Sequence, residues 1–506
     1  MVHPRVLPLL LVGCLTPVDF GSESLIGWAE PEDAVATVAE TLTPFDVNLY
    51  DQAGPARSTY GKTPEIVVAS EHHDLYVFAH DYGENFSGST PPIGAKILKL
   101  RRTETDYILT QVIEPPGFID RILGFDRDRR DGSLYIASAA AESDRVNAEY
   151  PAENEYREGV VHVSRLDSQG VEVFRTDLDV ARAAVADHPE QVINPMVAAT
   201  GRLAVGGGTI AVVHGINTTP DPNIDNRRHQ KALTTFINAE TGDVSRLSSI
   251  WVSHSFDQRL QWDGEAFVEH HLGDAYPRHI AFARTDPTDD SGVPEVPLLF
   301  IKGESGENTT RTSIGAVVSL PDDDSASFLA VYVTEPTETT EPINGDFSNV
   351  SGSRELAVTR VMEGFATLVS SEQSPLDAEL PDRLDVPLGE TRLRWLTNYQ
   401  AESSGLTHAE RPRLMDVGEG RYVVLWEKWD LSSGRETYDG TWGMVIDAKG
   451  ETLVEGRKIV RTHLPRGDDL ARLPGQAAWV TGDSVARSLV VHTVDGELEY
   501  RAFTVK

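Results

Sequence analysis

Cysteine occurs once in these 506 residues, at Cys14. A single thiol excludes an intramolecular disulfide and a zinc site built from several thiolates. Basic residues are scarce too: 45 Lys and Arg stand against 79 Asp and Glu, a net charge of −34. Phosphate backbones are held by clustered Lys and Arg, so nucleic acid is excluded as a partner, and so is a polybasic dock on anionic lipid. No apolar run approaches the roughly 18 residues that cross a bilayer. HExxH, GxSxG, Walker and strand-borne GxGxxG motifs are missing. What is present is an ordinary folded composition, 40% hydrophobic and 25% charged, with ample length for a large core.

The chain opens Met1-Val2-His3-Pro4-Arg5, followed by the apolar run Val6 to Gly13 and then Cys14. A short basic start and about eight apolar residues fit a secretory leader rather than a membrane span. Leu11-Val12-Gly13-Cys14 resembles the lipobox of bacterial lipoproteins, and the only cysteine falls where that pattern needs it. The resemblance covers this segment alone. It implies a signal peptide over 1–13, a lipid on Cys14, and a Pro-, Gly- and acid-rich tether over 14–34. It also implies a place in the bacterial cell envelope, with membrane contact through the N-terminal lipid only. An ordinary cleaved signal is the competing reading, because Pro8 interrupts the apolar run.

Apolar runs of four to six residues then recur at intervals of roughly 50–70 residues, bounded by Gly, Asp or Asn turns. Examples are Leu75–Ala79, Leu134–Ala137, Ile210–Val213, Phe328–Val331 and Tyr422–Leu425. The clearest unit, Arg411 to Ile459, reads as four strands A to D with tight A–B and C–D turns and a longer B–C loop. Four-stranded units repeated about seven times, with almost no helical periodicity, predict an all-β fold: a seven-bladed β-propeller over 35–506. The expected blades are 64–113, 120–178, 195–249, 254–302, 312–370, 411–460 and 476–506. The last unit reads as three strands, so a spare strand within Val35–Tyr50 is expected to complete it and close the ring. Two β-sandwiches are the alternative, with Ser371–Glu390 as the only candidate link. Val180–Asp187 is the one helix-like piece. No named propeller family fits: the WD dipeptide pattern is absent, and Asp439-Gly440-Thr441-Trp442 matches the tail of a sialidase Asp-box with a residue missing.

In such a blade the B–C and D–A loops share one face and the tight turns the other. The B–C loops are the long ones, except in unit four, and function usually sits on loops carried by a rigid scaffold. Unit four gathers acids, bases and donors: His254, Asp257 and Arg259 before its first strand, and His271, Asp274, Tyr276 and Arg278 in its short B–C loop. Asp257 or Asp274 could act as base, His254 or His271 could shuttle protons, and Arg259 and Arg278 could hold a carboxylate or sulfate. The competing reading is an Asp–Arg lattice that fixes a loop. Histidines ending B strands (His80, His214, His270, His492) read as polar tips bonding a neighbouring blade. A ring of B-strand ends is more than about 10 Å across, too wide for one ion that needs ligands at about 2.0–2.1 Å. No metal is expected there and no cofactor is required. Calcium is left open only at Asp126–Gly132 and Asp286–Gly292, which lack the EF-hand spacing and read as solvated turns. Tyr82, Phe86, Tyr156, Tyr276, Trp429 and Tyr438 fall at loop mouths, where they would suit sugar stacking. The expected function is a monomeric surface protein binding a glycan or a protein on its loop-rich face. The alternative is an extracytoplasmic polysaccharide hydrolase or lyase using Asp257, Asp274 and His254.

Overall fold

The computed structural model describes residues 28–44, 64–83, 92–117, 119, 121–140, 160–185, 201–217, 230–251, 257–273, 279–288, 295–300, 312–320, 327–334, 353–362, 393–399, 407–430, 437–465 and 468–505. They form seven antiparallel four-stranded sheets, the blades of a β-propeller. Blade one is β1 (Ile66–Glu71), β2 (Asp74–Asp81), β3 (Gly94–Arg102) and β4 (Tyr107–Ile113). Blade two is β5 (Arg121–Arg127), β6 (Leu134–Ala140), β7 (Val160–Leu166) and β8 (Glu172–Asp177). Blade three is β9 (Arg202–Gly206), β10 (Thr209–Asn217), β11 (Gln230–Asn238) and β12 (Val244–Trp251). Blade four is β13 (Gln258–Trp262), β14 (Phe267–Leu272), β15 (His279–Thr285) and β16 (Glu295–Phe300). Blade five is β17 (Ser313–Leu320), β18 (Ser327–Thr334), β19 (Glu355–Met362) and β20 (Leu393–Trp395). Blade six is β21 (Thr407–Gly418), β22 (Arg421–Asp430), β23 (Thr437–Ile446) and β24 (Thr452–Val460). Blade seven is β25 (Ala471–Leu473), β26 (Gln476–Asp483), β27 (Ser488–Asp495) and β28 (Tyr500–Val505). The first strands of consecutive blades touch one another all the way round, β25 against β1 included, so they ring the axis.

Burial on both faces of each sheet explains why the second strands are continuously apolar. Successive side chains of a strand point to opposite faces, and here each face meets a different neighbour. In β2, Leu75, Val77 and Ala79 pack toward blade seven, while Tyr76 and Phe78 pack toward blade two. In β22, Tyr422, Val424 and Trp426 pack toward blade five, while Val423 and Leu425 pack toward blade seven. Near the axis the strands approach so closely that glycine is required. A Cβ on Gly124 in β5 would stand 2.5 Å from the Leu203 backbone nitrogen of β9.

Two expectations are corrected. Blade seven takes all four strands from 471–505, so the segments read as its strands A, B and C are β26, β27 and β28. Its true first strand has only three residues, too few to show a period beside the turn-rich sequence around it. His492 therefore lies in a third strand, not a second. The segment 371–390 falls between β19 and β20 of one sheet and links no domains. The expected start of blade three at 195 lies outside the described residues, and its first described strand is β9 from Arg202. The helix-like piece is α2, Leu178–Ala183.

The N-terminal segment does reach the seam between the last and first blades, as a strap. Its one helical turn, α1 (Val38–Thr41), is capped by Thr37 and Glu40 in a capping box. Val38 and Leu42 pack into the cluster that holds Leu75 and Leu98 of blade one and Val480, Val491 and Val505 of blade seven. Backbone bonds fix its course: Ala29 N–H to Arg102 O at 2.9 Å, Val35 N–H to Leu109 O at 3.0 Å, and Tyr82 N–H to Thr43 O at 3.0 Å. It rises from the tight-turn face, where Trp28 lies 5.1 Å from the His73 ring, to the face bearing the B–C loops. Residues 45–50 lie outside the described residues.

Candidate functional site

The two faces treat charge differently. At the tight-turn face, three carboxylates and one amide are consumed by backbone alone, while others, such as Asp263 beside Arg284, also meet a cation. Asp167 Oδ1 accepts from Gln169 and Val171 N–H, both at 2.9 Å. Asp447 Oδ1 does the same for Lys449 and Glu451 at 2.8 Å, and Asp495 for Glu497 and Glu499 at 2.9 Å. Asn238 fills this slot in blade three. These are Asx turns, with Gly450 at φ 74° completing one of them. At the opposite face, ionisable side chains are buried, and they converge on the axis.

Three arginines there repeat one geometry. Arg202 and Arg259 stand at the start of a first strand and Arg413 in the middle of β21, and each turns Nη1 onto the carbonyl of the preceding residue. Arg202 donates to Gly201 O at 2.6 Å, Arg259 to Gln258 O at 2.8 Å and Arg413 to Pro412 O at 2.8 Å. Arg259 also donates to Asp257 Oδ1 at 2.5 Å and to Ile314 O of blade five at 2.9 Å, and its Nε lies 2.9 Å from Asp469 Oδ1. Asp257 Oδ2 accepts the Ile314 N–H at 3.3 Å. Asp468 and Asp469 enter from the connection between β24 and β25. Asp468 Oδ2 accepts the Val68 N–H of β1 at 3.1 Å. Burial and then the ionised Asp469 beside it push Asp468 up to about 7. Burial would raise Asp469 as well, but Arg259, Arg202 and Arg413 outweigh it and hold that carboxyl down. Burial, and then repulsion from Arg259, lower Arg202 and Arg413 to about 10, so both remain cationic at neutral pH. Asp257 and Asp469 keep 17% and 26% of their side chains exposed, which makes this the solvent-reached end of an otherwise dry cluster.

A second charged box lies one blade away and holds the axial loop. Glu427 is fully buried. Its Oε1 accepts from Arg411 Nη1 at 2.9 Å, Leu464 N–H at 2.9 Å and His463 Nδ1 at 3.2 Å, and its Oε2 accepts from Trp429 Nε1 at 3.1 Å. Burial opposes ionisation, but Arg411 and His463 prevail and hold the carboxyl down at about 2. Glu410, directly opposite Glu427 in the sheet, pairs with Arg354 of blade five. Burial pushes it up to about 7. Between Glu410 and Arg413 the register shifts at a bulge, and Arg411 there adopts φ 50°, a conformation that disfavours any residue with a Cβ. Pro412 fits the bulge because no ladder bond is asked of it. Through Leu464, and through Pro465 O accepting from Arg413, this box fixes the root of the segment that carries Asp468 and Asp469 to the axis.

Of the residues expected in unit four, the structure brings Asp257 and Arg259 into the axial cluster. His271 is buried in β14, opposite Gln258. His254, Asp274, Tyr276 and Arg278 lie outside the described residues. Unit four is not the only blade with a short B–C connection: 273–278, 431–436 and 484–487 are all short, which corrects the expectation that it alone departs from long B–C loops. Arg202, Arg413, Asp468 and Asp469 were missed. The available signal was the recurrence of Arg-Leu at Arg202-Leu203, Arg259-Leu260 and Arg413-Leu414.

The other candidates have structural partners. His270 Nδ1 bonds Gly315 O of the next blade at 3.0 Å, and His214 Nδ1 bonds Gly215 O at 2.8 Å. Burial lowers His270 to about 4 and His492 to about 3. His80 Nδ1 meets Glu65 Oε2 at 3.0 Å, within its own blade. Asp126 accepts from Arg127 and Val205 N–H, Asp128 pairs with Arg130 at 2.6 Å, and Asp286 Oδ1 accepts from Thr288 N–H at 2.7 Å. Among the described residues no group of three His, Cys, Asp or Glu is placed to hold a metal ion. Tyr82 and Trp429 are buried, as hydrogen-bond donors to Glu65 and Glu427, and line no open mouth. Tyr438 stacks on His463 with centroids 3.8 Å apart. Phe86 and Tyr156 lie outside the described residues. Asp439 and Trp442 lie within β23, not in a turn.

No family model and no curated protein matches this chain. Among solved structures, the β-propeller domain of the Trilobed protease from Pyrococcus furiosus aligns over 87% of this chain and 98% of that one, at 7% identity and a TM-score of 0.40. An apocarotenoid oxygenase from Synechocystis aligns over 77% and 71%, at 9% identity and a TM-score of 0.37.

Proposed function

We propose that this chain is an extracytoplasmic binding protein of the bacterial envelope, anchored by lipid at Cys14, whose loop-bearing face takes a glycan or a protein ligand. The observation that carries the reading is the convergence of Arg202, Arg259, Arg413, Asp257, Asp468 and Asp469 at one end of the axis. Burying charge is costly unless it is paired, and stability alone is served as well by apolar packing. The strap supports the orientation: Trp28 lies at the tight-turn face, so an anchor preceding it leaves the loop-bearing face pointing away from the membrane.

A polysaccharide hydrolase or lyase is the second reading. It is favoured by the adjacent acids Asp468 and Asp469, whose affinities for protons are pushed in opposite directions, as acid and base roles require. The full chain in detergent, applied to a glycan array and to a panel of polysaccharides, separates the two. Retention without cleavage is the expected result; cleavage abolished by Asp469→Asn establishes the enzyme. Cys14→Ser should move the protein from the membrane fraction to the soluble one, and unchanged fractionation would remove the anchor.

A further inference from the structure

We propose that the axial end of the loop-bearing face is a carboxylate-binding site, in which a single acidic group of the ligand seats on the Nε and Nη2 edge of Arg202. This rests on the loop-bearing face being the binding face, and it names the chemistry bound there. A guanidinium binds carboxylate best through two parallel N–H donors. In Arg259 the Nε lies 2.9 Å from a carboxylate oxygen of Asp469, an ion pair without the alignment of a hydrogen bond, and the Nη1 atom meets Asp257. Arg202 repeats the backbone geometry of Arg259, with Nη1 turned onto the preceding carbonyl. Its Nε and Nη2 donate to nothing among the described residues, although both atoms are buried and the residue is only 7% exposed. Among the described residues, Arg259 and Arg413 also leave a buried Nε outside any hydrogen bond, but their Nη2 atoms are bonded, whereas Arg202 leaves both atoms of that edge. A ligand carboxylate would stand to Arg202 as Asp469 stands to Arg259.

The local charge agrees. Arg259 is matched by Asp257 and Asp469. Arg413 bonds two carbonyls, and its Nε has no partner among the described residues. The remaining acid, Asp468, is held by the Val68 N–H and is driven toward its neutral form. A surplus of positive charge is therefore left at Arg202 and Arg413, inside a protein of net charge −34. That outer field disfavours a polyanion, so the site suits a ligand that delivers one carboxylate.

Calorimetric titration of the full chain in detergent with glucuronate, succinate, glucose and sulfate tests this. Glucuronate or succinate should bind, sulfate more weakly, and glucose not at all. Glucuronate exceeding succinate would assign the carboxylate to a sugar, and the reverse order to a simple acid. Arg202→Lys, which keeps the charge and loses the two-pronged edge, should weaken carboxylate binding at least tenfold. If that variant does not fold, Leu203→Val is the fallback: it leaves the guanidinium in place and must retain binding. Glucose or sulfate binding as tightly as the carboxylates would overturn the proposal, and so would parent protein that binds none of them. Array ligands retained equally by parent and Arg202→Lys would sink the carboxylate site while leaving the binding face standing. Carboxylate binding that depends on Arg202, with no array ligand, would do the opposite.

Discussion

The two ends of the propeller use the same residue types for opposite purposes. At the tight-turn end, Asp167, Asp447 and Asp495 are half-buried and each closes one turn by accepting two backbone N–H groups. Each acts alone, and no cation is needed. At the loop-bearing end, Glu427, Glu410 and Asp468 are withdrawn from water and Asp469 is mostly so. Arginines meet them: Glu427 by Arg411 of its own blade, Glu410 by Arg354 of blade five, and Asp469 by Arg259 of blade four. These acids thus form two groups. One is turn chemistry, repeated because blades repeat. The other is a coupled network that ties blades one, three, four, five, six and seven together at the axis. The difference teaches where to look for function: independent caps are explained by the fold, whereas a buried network with donors left over is not.

The sharpest way to break this comparison is to remove one member of the buried population. Glu427→Ala leaves Arg411 buried without its carboxylate and frees the Leu464 N–H. Breaking a buried pair from one side is expected to destabilise by about 3–5 kcal/mol, read as a lower midpoint in urea unfolding. A loss under about 1 kcal/mol, the range of ordinary surface changes, would mean that the buried end is no different from the exposed one.

Independent caps should add and network members should not. Asp167→Ala and Asp447→Ala each remove a turn cap and should cost about 1 kcal/mol, as loss of a side-chain cap does in helices. They stand in different blades, so the double variant should equal the sum within about 0.5 kcal/mol. Arg259→Met with Asp469→Asn should instead show a coupling of about 0.5–3 kcal/mol, because each change leaves the other partner unmatched. Equal additivity at both ends, measured by the same unfolding titrations, would erase the distinction.

Much of the scaffold was legible because burial on two faces writes itself as consecutive apolar residues: Leu75–Ala79 and Tyr422–Leu425 could be read as second strands without any structure. The short strands were not. Ala471–Leu473 and Leu393–Trp395 have three residues each, less than two periods of alternation, and their loss shifted the last blade by one strand. The site was half legible. Asp257 and Arg259 stood out because acids and bases crowd around them in the chain. Arg202 and Arg413 did not, because a charged residue beside a strand reads as solvated, and nothing local says that six other first strands will surround it. Asp468-Asp469 read as loop for the same reason. Periodicity reports which face of a strand is apolar; it does not report which strand ends meet at an axis.

The smallest effect distinguishes the two populations by their protons. Asp468 has a folded value near 7 against an ordinary 3.8, so the folded protein binds this proton more tightly than the unfolded chain does. Stability from this group is therefore full below about pH 4, falls as pH rises, and levels off above about pH 7. Glu410 contributes in the same direction, from 4.5 to about 7, while Glu427, held at about 2, contributes fully above about pH 4.5 and loses that contribution as pH falls from there toward 2. Asp468→Asn removes one of the two falling contributions and leaves the other. The urea midpoint of the variant should therefore decline less than that of the parent between pH 4 and 7, and the two curves should run parallel above pH 7. Carboxylate affinity should follow the same group: in the parent it should weaken as pH rises through 7 and Asp468 gains its charge, and in Asp468→Asn that dependence should be lost. Parallel curves across the whole range would mean that Asp468 is as solvated as the carboxylates of the tight-turn face, and that the axial end holds no surplus positive charge.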